Sequence, residues 1–236
     1  MKSSVLNSKC ILLIGSGRLA FHLQFWNSLQ DCPNQMLTWN RSQDSESLSL
    51  ALEKADLVWL AISDSAIISF FENNLSDLTV PVVHFSGALH DLRLKCAHPL
   101  MTFPTELLNK SIYYQISFAL TGVDALTEIM PGFKNNYFKL SPADKPLYHA
   151  LCVVAGNFPQ LLWTETTKKF ETLNIPESAI QVYLNQVLNN FLNLKQKSVT
   201  GPLVRNDITT MELNENALSG TKLHSVYRAF RKEFSL

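Results

Sequence analysis

The segment Ile14 to Ala20, IGSGRLA, carries the pattern Gly15-x-Gly17-x-x-Ala20 between an apolar run and residues spaced as a helix. The chemistry open to such a corner is anion binding. A glycine at 15 permits a tight turn, a glycine at 17 lets backbone N–H groups approach a diphosphate with no Cβ between them, and a small residue at 20 lets the helix pack close to a sheet. The diphosphate would lie on the positive end of the helix dipole, against Ser16, Arg18 and Leu19 as well as the glycines and Ala20. Without a ligand, the same residues make only a tight turn between a core strand and a core helix.

The next apolar segment ends in Asn40, Arg41 and Ser42. Enzymes that use NAD commonly place a carboxylate there, on the ribose hydroxyls. None of these three residues is acidic, and a guanidinium flanked by hydrogen-bond donors suits the additional 2′-phosphate of NADP(H). Taken alone, Arg41 reads as a solvated loop charge; paired with the glycine corner, it reads as a phosphate ligand. The segment LAISDSAI places Ser63 and Asp64 at the carboxyl end of a third strand, where open α/β sheets bind ligands. The Asp64 carboxylate reads more readily as a cap for the following helix.

The elements that must hold these residues follow from hydrophobic spacing. CILLI, MLTWN, DLVWLAI, VPVVHF, SFALTG and NYFKL read as strands, separated by helical segments such as Leu19 to Leu29 and Ser65 to Phe71. Alternation of this kind predicts βαβ units and a mostly parallel sheet, and the consecutive apolar positions fit strands covered on both faces. After Leu140 the pattern changes. Ser141 reads as an N-cap, with Pro142 at the first helical position and Asp144 three residues after the cap. Apolar residues then recur at helical intervals from Leu147 through Leu151, Val154, Phe158, Leu161 and Leu162. A second helix is predicted from about Pro176 to Lys195, and at least one more from about Ile208 or Ser219 to the end. The expected organisation is a dinucleotide-binding domain over residues 1–140 and a helical domain over 141–236.

Composition excludes several other classes. Twenty basic and twenty acidic residues balance, with no block of like charge, so nucleic acid and anionic membrane surfaces find no electrostatic footprint. The longest apolar runs, ILLI and LVWLAI, fall far short of the roughly 20 residues that span a bilayer. The N-terminal MKSSVLNSKC lacks the apolar centre of a signal peptide, and the expected location is cytoplasmic. Cys10, Cys32, Cys96 and Cys152 are scattered, suggesting neither a zinc site nor a disulfide framework, and no metal is expected.

Several further motifs occur in a fixed order: IGSGRLA, NRS, HFSGAL (His84 to Leu89), HPLMTF (His98 to Phe103), HALCVVAGNFPQLL (His149 to Leu162) and GPLVRND (Gly201 to Asp207). Together they resemble a bacterial family of Rossmann-like proteins labelled NADP oxidoreductases, with a helical C-terminal domain of unknown function. The resemblance covers nearly the whole chain. Wider relatives include pyrroline-5-carboxylate reductase, the β-hydroxyacid dehydrogenases and phosphogluconate dehydrogenase, in which a helical domain closes over the nicotinamide and commonly forms a dimer. The resemblance implies a Rossmann-type sheet followed by a helical domain like that of phosphogluconate dehydrogenase, NADP(H) as cofactor, a small-molecule substrate in an interdomain cleft, and a homodimer through the helical domain.

The chain departs from those relatives at one point. The β-hydroxyacid dehydrogenases carry a Lys one helical turn before the active-site Asn, whereas the residue four before Asn157 is Val153. Another group must supply the proton that accompanies hydride transfer, within hydrogen-bond reach of the substrate. The candidate catalytic residues are Ser86, His98, Asn157 and Arg205. Ser86 and Gly87 offer a hydroxyl and a backbone N–H, as the SG segment of related dehydrogenases does. His98 is either a proton carrier or a residue fixing an extended segment before Pro99. His149 reads mainly as helix surface. Asn157 lies in an apolar helix, so its amide either cross-links backbone or touches ligand. Arg205 either staples its loop to Asp207 or receives a substrate carboxylate or phosphate. A protein that binds or senses NADP(H) without turnover is the alternative class, and the deazaflavin-linked NADP oxidoreductases share the N-terminal pattern.

Overall fold

The computed structural model describes residues 8–234, which form two compact units dividing between Val153 and Val154. In the first unit, strands β1 (Cys10–Ile14), β2 (Gln35–Trp39), β3 (Leu57–Leu60), β4 (Val82–His84), β5 (Lys95–Pro99), β6 (Phe118–Thr121) and β7 (Tyr137–Lys139) make one seven-stranded sheet. Its order is β2-β1-β3-β4-β5-β6-β7, parallel throughout except where β5 meets β6 antiparallel. Helices α1 (Arg18–Ser28), α2 (Ser45–Leu52), α3 (Asp64–Asn74) and α4 (Lys110–Gln115) connect the strands, and α5 (Lys145–Cys152) closes the unit, beyond residue 140.

β1 shows why this sheet is covered on both faces. Ile11 and Leu13 point into one core layer with Trp26, Trp59 and Phe118, while Leu12 and Ile14 point into the other with Leu48, Val58, Ile67 and Phe71. Each such buried side chain contributes about 1.5 to 3 kcal/mol. The chain passes from β1 to β2 on one side and returns past β1 to β3 on the other, so the carboxyl ends of β1 and β3 flank the crevice left at a topological switch point.

Local chemistry sets several boundaries. The Asp44 carboxylate caps α2 by accepting from Ser47 N at 2.7 Å. The Ser141 hydroxyl accepts from Ala143 N at 3.2 Å, so the expected cap is present, but it starts a single 3-10 turn, Pro142–Asp144, ahead of α5. The long helix predicted from Ser141 is then interrupted by a π turn, Val153–Asn157, before α6 (Phe158–Thr172) begins.

The second unit contains α6, α7 (Glu177–Leu194), α8 (Ile208–Ala217) and α9 (Lys222–Phe234), with α6 meeting α7 and α9, and α8 meeting α9. Arg231 and Arg228 of α9 pair with Glu215 of α8 at 2.8 and 3.4 Å. Ile180 and Met211 are its buried apolar residues among those described. Large apolar side chains face outward, among them Leu161, Val182, Tyr183, Phe191 and Leu192.

Candidate active site

The glycine corner has the geometry its residue types demand. Gly15 adopts φ 129°, and a Cβ there would stand 2.2 Å from the Ala61 carbonyl oxygen at the end of β3. Only glycine fits, and its N–H donates to Trp39 O at 2.8 Å, tying the corner to the end of β2. Gly17 is the N-cap of α1 with no side-chain cap bond, and a Cβ there would meet nothing within 4 Å. Among the described residues the N–H groups from Ser16 to Ala20 have no acceptor, an unsatisfied row at the positive end of α1, where Ser16, Gly17 and Arg18 are exposed and Ala20 is buried. Arg18, exposed in the same turn, has no partner among the described residues.

The turn after β2 is pinned by its own residues. Asn40 Oδ1 accepts from Ser42 N at 3.0 Å and from Ser42 Oγ at 2.6 Å, while Asn40 N donates to Gln43 Oε1 at 2.9 Å. Asn40 and Ser42 therefore shape the turn, and Arg41 stands exposed within it with no partner among the described residues. Ser63 is the N-cap of α3 but makes no side-chain cap bond. Asp64 is the first residue of α3 and does not act as the cap its sequence position suggested: its Oδ2 accepts from Ser86 Oγ at 2.6 Å.

Beside these groups, at the carboxyl end of β4, lies a second polar cluster. Ser86 is buried, and its hydroxyl donates to Asp64 while accepting from Leu89 N at 3.0 Å, which fixes the loop that follows. Gly87 is buried and its N–H has no acceptor among the described residues, so it remains an unsatisfied donor beside the cluster. A Cβ at Gly87 would meet His149 Cδ2 at 2.7 Å and His98 Nε2 at 3.0 Å, so both rings rest on bare backbone. His98, on β5, is held by Tyr148 of α5, with Nδ1 and the phenol oxygen 2.8 Å apart. The phenol donates when the imidazole proton is on Nε2 and accepts when it is on Nδ1. The half-buried His149 stands 6.5 Å from His98, ring centre to ring centre, and is part of this cluster, not of the helix surface expected for it.

Burial first, then the electrostatic influence of neighbouring Lys145 and His149, holds His98 down to about 4. Burial also pushes the Tyr148 phenol up, with Cys152 adding to it. At neutral pH the pair therefore holds a neutral imidazole against a protonated phenol. His84, next to Ser86, is held down to about 3 by burial and by Lys145, and its Nδ1 accepts from Ser86 N at 3.2 Å.

The structure thus brings Ser86, Asp64 and His98 together in the first unit. Asn157 and Arg205 belong to the second. Asn157 is exposed and unpartnered among the described residues, so it makes no backbone cross-link, and it ends a π turn, not a stretch of regular helix. Arg205 is exposed, and the loop staple to Asp207 is absent: the Asp207 carboxylate caps α8, accepting from Thr210 N at 3.1 Å and Thr210 Oγ1 at 2.7 Å. Tyr148 and Lys145 were not expected at the site. Their signal is the spacing Lys145, Tyr148, His149, Cys152, a polar stripe at i, i+3, i+4 and i+7 of α5. This helix turns that stripe inward and leaves Leu147 and Leu151 exposed, opposite to the usual amphipathic arrangement.

A mostly parallel sheet with a side-chain-free glycine corner at its switch point, followed by a helical C-terminal region, is a Rossmann-type fold. The family profile described as Domain of unknown function (DUF2520) matches residues 114–234, and the chain belongs to that family. Among solved structures it is similar to protein BF3122 from Bacteroides fragilis, at 16% identity and a TM-score of 0.77, over 98% of this chain and 99% of that one. It is similar to protein TM1727 from Thermotoga maritima at 21% identity and a TM-score of 0.65, over 94% and 95% of the two chains. A third likeness is to 1-pyrroline-5-carboxylate reductase from Streptococcus pyogenes, at 19% identity and a TM-score of 0.59, over 97% and 99%. At these identities the likeness is one of fold. No curated protein matches the chain.

Proposed function

We propose that the chain is an NADP(H)-dependent oxidoreductase acting on a small polar substrate that bears a carboxylate. The observation that carries this reading is the corner at Gly17: a row of N–H groups without acceptors among the described residues, beside a glycine whose Cβ position is open, after the carboxyl end of β1. BF3122 carries the provisional designation of NADP oxidoreductase, and the reductase from Streptococcus pyogenes is named for a carboxylate-bearing imine, which agrees with the proposal.

In this reading, Ser16 to Ala20 donate to the diphosphate, Arg18 and Arg41 neutralise phosphate charge, and Asn40 and Ser42 hold the turn that presents Arg41. Ser63 and Asp64 border the cofactor at the end of β3. The bound nicotinamide supplies or accepts hydride. The chain supplies the proton. The Tyr148 phenol, hydrogen-bonded to a neutral His98, is the group that holds a transferable proton at neutral pH. The Gly87 N–H is the donor available to a substrate oxygen, and Ser86 fixes its position through Asp64 and Leu89. Asn157 and Arg205 are proposed as further substrate contacts.

The proposal extends to assembly and location. The outward apolar face of the second unit, with the groove lined by Phe158, Leu161, Leu162, Val226 and Phe230, is proposed to be covered by a second copy of the chain. No helix among the described residues is long and apolar enough to cross a membrane, and the proposed location is the cytoplasm.

A screen of keto and imino acids with NADPH tests the chemistry. The expected result is cofactor oxidation with at least one of them, and a Tyr148→Phe variant slower by about 10²-fold or more at unchanged NADPH affinity. Tight NADPH binding with no oxidation across the screen would instead make the chain a binding or sensing protein.

A further inference from the structure

The proposed chemistry leaves two buried reactive groups unused. Lys145 is 1% exposed and Cys96 is 2% exposed. Lys145 Nζ donates to Ser86 O at 3.1 Å and lies 3.0 Å from Cys96 Sγ. Among the described residues no carboxylate pairs with this ammonium; the nearby Asp64 is occupied by Ser86. A buried cation whose partners are a carbonyl and a thiol keeps much of its desolvation penalty. Burial pushes the Cys96 thiol up, and the adjacent ammonium pulls against that. A reaction between the two that ends with an uncharged nitrogen removes the penalty, so the environment favours it.

We propose that Lys145 and Cys96 form an oxidative modification site, in which a peroxide joins Nζ covalently to Sγ. In the first step Cys96 gives up its thiol proton, and the thiolate, held beside the Lys145 ammonium, attacks one oxygen of hydrogen peroxide. The S–O bond forms as the O–O bond breaks, and the departing hydroxide takes up that proton and leaves as water. Sulfur is oxidised by two electrons and the peroxide is reduced by two. In the second step Lys145 releases one proton to solvent, and its amine attacks the sulfur of the resulting sulfenic acid. The N–S bond forms, the S–OH bond breaks, and the hydroxyl leaves with a second nitrogen proton as water, with no further change in oxidation level. The product is a sulfenamide carrying no charge at nitrogen. It withdraws the ammonium from the Ser86 carbonyl, and so acts on the segment that carries Gly87.

The test is a peptide digest of the full-length protein after exposure to hydrogen peroxide, with remaining thiols alkylated under denaturing conditions and no reductant present. The expected product joins the Cys96 peptide to the Lys145 peptide at a mass two hydrogen atoms below their sum. It disappears on treatment with dithiothreitol and is not formed by Cys96→Ser. The same pair with one oxygen atom more, from a second equivalent of peroxide, also supports the proposal. Recovery of Cys96 as an alkylated thiol, as a sulfur oxyacid with Lys145 free, or in a disulfide with another cysteine would overturn it. The wild-type digest decides the matter without any variant.

Discussion

Alanine at Gly17 and alanine at Gly15 must act in opposite ways if the corner is a ligand site. At Gly17 the added methyl meets nothing within 4 Å, and the residue's φ of −78° suits any side chain. Alanine is the poorer N-cap by about 0.5 kcal/mol. It also lowers the entropy of the unfolded chain, which returns about 0.4 to 1 kcal/mol. The net change is within about 0.5 kcal/mol, or about 2 °C in Tm for a chain of this size. Yet the methyl occupies the space in front of the N–H row and displaces a diphosphate from one or more charge-assisted hydrogen bonds, weakening NADPH by about 10- to 100-fold. At Gly15 the methyl stands 2.2 Å from a backbone oxygen, at φ 129°. Backbone strain of about 1 to 3 kcal/mol and a similar cost of displacing the Ala61 carbonyl lower Tm by about 5 to 20 °C. Thermal melts of both variants with and without NADPH, followed by calorimetry, read the two effects separately. A Gly17→Ala protein that folds normally and binds NADPH as tightly as the wild type would refute the role given to the corner.

Arg41→Ala is expected to weaken NADPH by about 10- to 150-fold and leave NADH nearly unchanged; equal losses in a paired titration would remove the 2′-phosphate role. Acid should destabilise the first unit. His98 and His84 are held at about 4 and about 3 against an ordinary 6.5, so below pH 6.5 the unfolded chain binds more protons than the folded one. Their contribution is complete above pH 6.5 and is lost as pH falls through about 4 for His98 and on to about 3 for His84, which urea unfolding across that range measures; flat stability would contradict the burial of both rings. Light scattering at micromolar concentration is expected to give twice the 26.6 kDa chain mass, and a monomer there would leave the apolar face of the second unit without its proposed cover.

Much of the first unit was legible because its signals are local. The run before Gly15 is apolar at consecutive positions, so β1 reads as a doubly covered strand, and the glycine spacing marks the turn after it. β5 was not anticipated, since Lys95, His98 and Pro99 interrupt any apolar alternation; its identity comes from pairing with β4 and β6, partners distant in sequence. The facing of α5 is hidden in the sequence for a related reason. Lysine is almost never fully buried without a partner, so Lys145 reads as solvated, and Leu147 and Leu151 read as the inward face. Only the tertiary contacts of Ser86 and Cys96 reverse that assignment. The Ser86 to Asp64 bond joins two loops whose proximity depends on the strand order, which no short segment encodes. Asn157 reads as part of a regular helix because helical spacing runs unbroken through it, and a π turn has no comparable pattern of its own.

Calorimetric titration of the unmodified protein with NADPH and with NADH tests the central claim most directly. The account predicts saturable binding at one site per chain, tighter for NADPH than for NADH. No heat and no thermal stabilisation with either dinucleotide would contradict it.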